Sequence, residues 1–83
     1  MNNDDIRKLA LRLLKYFEKL AIENPQSWSN HLDVAKKFAA LTSQSEDTWK
    51  IAAQQLLLEA RRIADESSAM SELVFALREI ATH

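Results

Sequence analysis

Residues 4–23 read Asp4-Asp5-Ile6-Arg7-Lys8-Leu9-Ala10-Leu11-Arg12-Leu13-Leu14-Lys15-Tyr16-Phe17-Glu18-Lys19-Leu20-Ala21-Ile22-Glu23, and Asn24-Pro25 follows. Ile6, Leu9, Ala10, Leu13, Leu14, Tyr16, Phe17, Leu20 and Ala21 recur at the i, i+3, i+4 spacing of one helix face. Asp4 and Asp5 stand where a helix macrodipole is positive, and Asn3 before them has the chemistry of an N-cap. Asn24-Pro25 closes the segment, because the residue before a proline is pushed out of the α region. This is an amphipathic helix of about five turns.

The same grammar continues downstream. There is no glycine in the 83 residues and Pro25 is the only proline, so the strongest punctuators of local structure are nearly absent. Pro25-Gln26-Ser27-Trp28-Ser29 reads either as a turn or as a first helical turn with proline at N1. A second helix is expected over 30–42, with Trp28, Leu32, Ala35 and Ala39 on one side and Val34, Phe38 and Leu41 adjoining. Ser43-Gln44-Ser45-Glu46 matches the Ser-x-x-Glu capping box and predicts a third helix over 44–66. Its stripe is Trp49, Ala52, Ala53, Leu56, Leu57, Ala60, Ile63 and Ala64. Ser67-Ser68 supplies a break and a new N-cap, and 69–81 reads as a fourth helix carrying Met70, Leu73, Val74, Leu77, Ile80 and Ala81. Should that break fail, the last two helices form one rod. The expected fold is all-α: one domain over 1–83, a small antiparallel bundle of three to four helices at 4–23, 30–42, 44–66 and 69–81.

Composition narrows the function classes. An apolar fraction of 47% and a charged fraction of 28% are ordinary for a globular chain. With no cysteine, disulfide staples, thiolate metal sites and cysteine nucleophiles are excluded. No run of about 20 apolar residues exists to span a bilayer, and Arg12 and Lys15 interrupt the leucines that a signal peptide would need. Cytoplasmic residence without a membrane role is therefore expected. A net charge of −1 gives no bulk drive toward polyanions, although residues 1–43 carry +2 and residues 44–83 carry −3.

Several apolar residues fall off the stripes. At about 100° per position, Leu11 and Ile22 face away from the first stripe, Ile51 and Leu58 from the third, and Phe75 from the fourth. Two accounts compete. Either the third helix is central and buried on two faces, or Ile51, Leu58 and Phe75, with Leu11 and Ile22 as further candidate members, form a seam for self-association or for a partner protein. Trp28, beside the proline, joins them as a candidate contact because tryptophan is enriched at interface hot spots. Lys8, Arg12, Lys15 and Lys19 recur at i, i+4, i+7, i+11 and stand in one row about 17 Å long at 1.5 Å per residue. Such a row steers acidic partners or meets phosphates, and it is also what a solvated helix face looks like.

Signatures of catalysis are missing. His31 and His83 have no partners at metal-ligand spacing, the adjacent pairs Glu46-Asp47 and Asp65-Glu66 diverge by about 100° on a helix, and the serines cluster where capping explains them. Without glycine there is no phosphate-cradling loop and no nucleophile elbow. No enzyme activity, cofactor or metal is expected. The segment 34–51 loosely resembles a helix-turn-helix unit, with Gln44, Ser45, Thr48 and Lys50 suited to base or phosphate contacts. It departs from that pattern in lacking the turn glycine, in its longer connection and in the carboxylates of Glu46 and Asp47. The favoured reading is a small non-enzymatic interaction protein of the inhibitor, immunity, antitoxin-like or adaptor kind, with homodimerisation as one mode. A nucleic-acid-binding regulator using residues 34–51 and the basic row is the alternative.

Overall fold

The computed structural model describes residues 2–64 and 67–82. Helix α1 spans Asn3–Glu23, α2 Pro25–Thr42, α3 Trp49–Ile63 and α4 Ser68–Thr82, with a 3₁₀ turn at Glu46–Thr48 leading into α3. The all-α bundle expected from the sequence is what the chain forms. The ends of its elements differ from expectation, and each difference has a local cause.

Asn2, not Asn3, caps α1: its side-chain oxygen accepts from the Asp5 N–H at 2.8 Å. At the other end a single residue makes the corner. The Asn24 N–H donates to the Leu20 carbonyl at 2.9 Å, while its side-chain oxygen accepts from the Ser27 N–H at 3.3 Å. Asn24 thus ends α1 and caps α2, and Pro25 occupies N1, where its missing N–H costs nothing. Helix α2 therefore begins five residues earlier than position 30.

The capping box is not formed. Ser43 keeps αR geometry at the C-terminus of α2, and its hydroxyl donates back to the Ala40 carbonyl at 2.7 Å. Glu46 turns instead toward α1, accepting from Arg7 at 3.1 Å and from the Asn3 side-chain amide. Arg7 explains why. Its guanidinium also pairs with Asp4 at 3.1 Å, donates to the Thr42 carbonyl at 3.4 Å and lies 5.0 Å from the Trp49 ring centroid. This cationic hub gathers the N-terminus of α1 and the α2–α3 connection, and a charge-assisted pair outweighs a neutral cap. Helix α3 starts at Trp49 as a result.

Helix α3 stops at Ile63, where Ala64 turns extended with φ −63° and ψ 130°. The rest of the segment expected to be helical, 65–66, lies outside the described residues. The Ser67 hydroxyl then accepts from the Met70 N–H at 3.2 Å and caps α4, so the break at Ser67-Ser68 exists. Among the described residues none adopts positive φ. Among the described residues the corners are built from ordinary backbone, and the chain folds without glycine.

The helices pack as a ring, α1 on α2, α2 on α3, α3 on α4, and most loosely α4 on α1. Ile6, Leu9, Leu13 and Phe17 of α1 meet Val34 and Phe38 of α2, Trp49 and Leu56 of α3, and Met70, Leu73 and Leu77 of α4 in one buried cluster. Alanines 10, 35, 53, 60 and 76 are fully buried where backbones approach closely. The Trp49 indole N–H is satisfied by the Gln44 carbonyl at 3.1 Å, so this ring is core. Tyr16, placed by periodicity on the α1 stripe, stands 47% exposed at the edge of the core, with its ring edge-on to Phe17 at 5.3 Å. No helix among the described residues is long and apolar enough to cross a membrane.

Candidate protein-interaction surfaces

Leu11, Ile22, Ile51, Leu58 and Phe75 are 56% to 82% exposed, although the core beneath them is closed. The bundle does not bury α3 on two faces. On α3 the flanks are occupied: Glu59 accepts from Lys37 of α2 at 2.8 Å, and Gln54 donates to the Ala81 carbonyl of α4 at 3.3 Å. What remains outward is the ridge of Ile51 and Leu58, seven residues apart, bordered by Lys50, Arg61 and Arg62. The Glu59 and Asp33 carboxylates hold the Lys37 ammonium pKa above its ordinary value, the hydrogen bond that Lys37 donates to Glu59 being the largest cause.

Leu11 and Ile22 lie on the outer face of α1. Since α1 and α3 both pack on α2 and α4, they stand diagonally in the ring, and their outer faces point to opposite sides of the bundle. The five residues therefore do not share one seam. Phe75 makes a third surface, the wall of a groove of about 790 Å³ between α1 and α4. Asp5, Lys8, Leu9 and Arg12 form the α1 side of that groove, and Ser71 and Glu72 accompany Phe75 on the α4 side. A charge-assisted pair, Arg12 to Glu72 at 2.7 Å, bridges the two helices. Beyond it a shallower cleft of about 200 Å³ runs on past Leu13, Tyr16, Ser68 and Ala69.

The basic row is exposed along its length: Lys8, Arg12, Lys15 and Lys19 all face solvent on α1. Only Arg12 among them makes an ion pair with a described residue. Lys8 and Arg12 thus belong both to the row and to the groove. The α4 wall of the groove had no signal in the sequence, because Ser71 and Glu72 gain meaning only when α4 folds against α1 some 60 residues away.

Trp28 is half-buried and stacks rather than projects. Its ring lies 6.1 Å from Phe17 and 5.0 Å from His31, closing the far end of the α1–α2 pair. At the helix-turn-helix-like segment, Glu46 and Asp47 form the entry to α3, Thr48 bonds the Ser45 carbonyl at 2.8 Å, and Trp49 is buried. Two carboxylates stand where such a helix would approach phosphate. No group of three or more metal-ligating side chains occurs among the described residues. Comparison with protein-family models, with curated proteins and with solved structures finds no match to this chain.

Proposed function

We propose that this chain is a small non-enzymatic interaction module that presents helix faces to another protein. One observation carries the reading: five large aliphatic or aromatic side chains remain more than half exposed on three helices around an already complete core. Scattered exposed leucines are normal, but each of these costs about 1.5–3 kcal/mol of burial that the fold leaves ungained. A partner that covers one of the three surfaces recovers the share of that term its residues carry, against the roughly 4–15 kcal/mol lost on association. The cations beside the α1 and α3 apolar residues favour a different chain over a second copy, since a two-fold axis would set each basic face against its own image. The carboxylates at the entry to α3 argue against nucleic acid in the groove-reading mode.

The test is photocrosslinking in the cell that makes the protein, with a benzophenone amino acid placed in turn at Leu11, Ile22, Ile51, Leu58 and Phe75. Protein adducts at one or more of these positions, and none at exposed polar control positions such as Gln26 or Ser29, are expected. An absence of protein adducts at all five positions would refute the interaction reading.

A further inference from the structure

We propose that the basic row of α1 and the α1–α4 groove form one docking site whose occupant is an acidic amphipathic helix of another protein. This rests on the interaction-module reading and names the chemistry of its partner. The groove exists because α1 and α4 are the most loosely packed neighbours in the ring. Its apolar floor is Leu9 and Phe75. Phe75 is not a failed core residue: Leu73, Ala76 and Leu77, close to it on α4, are fully buried, so the core is satisfied without it.

Charge selects the occupant. Glu72 is neutralised by Arg12 at 2.7 Å, and Asp5 sits in the first turn of α1, where the helix dipole favours a carboxylate. Three lysines, Lys8, Lys15 and Lys19, remain without an ion pair among the described residues. The groove's own lining balances, Lys8 and Arg12 against Asp5 and Glu72, and the positive field beside its apolar floor comes from Lys15 and Lys19, which continue the row along α1. A helix of three to four turns covers the roughly 17 Å row at 1.5 Å per residue. Its apolar anchors, spaced i, i+3/i+4, i+7, meet Leu9 and Phe75 while carboxylates on its flank meet the lysines. A second copy brings the same row of lysines and is disfavoured. A nucleic-acid backbone has no use for the apolar floor.

The experiment measures fluorescence anisotropy of the full chain with two labelled helical peptides sharing leucines at i, i+3, i+4 and i+7. One carries glutamate at the remaining positions and the other lysine. The acidic peptide is expected to bind at least about tenfold tighter, Phe75→Ala to weaken it about tenfold, and the Lys8→Glu, Lys15→Glu, Lys19→Glu combination to reverse the preference. Ile51→Ala, on the opposite side of the bundle, is expected to leave binding unchanged. Equal affinity for the two peptides overturns the proposal, as does indifference to Phe75→Ala. A duplex DNA probe that outcompetes the acidic peptide overturns it too, as does a dimer in native mass spectra that Phe75→Ala dissolves. Crosslinks at Ile51 or Leu58, together with indifference to Phe75→Ala, retire the groove and leave the interaction reading standing.

Discussion

Arg7 shows how a single side chain sets the local rules here. Its bonds to Asp4, Glu46 and the Thr42 carbonyl, with its guanidinium over Trp49, join the N-terminus of α1 to the α2–α3 connection more than 30 residues away in sequence. Lys37 plays a lesser part between α2 and α3, pairing with Asp33 at 3.2 Å and Glu59 at 2.8 Å. Both carboxylates raise its pKa above 10.5, so its stabilising contribution is complete below that value and fades as pH climbs through the raised one. The contribution is small because the group is solvated. In urea melts, the parent's advantage over Lys37→Met is expected to stay constant from about pH 7 to about pH 10 and to shrink only above the ordinary lysine range. An advantage already gone near pH 9 would contradict the assignment.

Individual helices were largely legible from periodicity, because α1 to α4 each bury one stripe and the stripe is a property of local spacing. Their ends were not, since capping depends on which partner wins. Ser43-x-x-Glu46 satisfies the capping pattern, yet Glu46 is drawn to Arg7, which belongs to α1 and lies 39 residues away in sequence. Ser67 caps α4 as its chemistry dictates, its hydroxyl accepting from the Met70 N–H. Hence Ser43→Ala is expected to change unfolding free energy by less than about 0.5 kcal/mol, as for other surface substitutions. Ser67→Ala should cost about 1 kcal/mol as a lost N-cap. Urea denaturation of the two variants checks this, and equal losses would contradict the caps described. Of the candidate site, the off-stripe residues on α1, α3 and α4 were visible at the sequence level. The pairing of α1 with α4 was invisible, because Glu72 meets Arg12 only through tertiary packing.

At the scale of the whole molecule, a bundle of 35 × 21 × 18 Å has a core sufficient for its four helices and a surplus around it. Small chains have thin stability margins, and this surplus lies outside the core that holds the fold. The surplus divides into an α1 face, an α3 ridge and the Phe75 groove, each bordered by cations. Under the interaction reading proposed above, that division lets one chain engage a partner along α1 while the α3 ridge stays free for another.

The central claim is that Leu11, Ile22, Ile51, Leu58 and Phe75 serve contacts beyond the fold. Replacing all five by glutamine, a helix former of comparable reach, and measuring the unfolding free energy in urea tests it most directly. The account predicts a folded bundle within about 2.5 kcal/mol of the parent, the sum expected of five surface substitutions. A loss above about 5 kcal/mol, the value of burying several such side chains, would show that they hold the fold together and would contradict it.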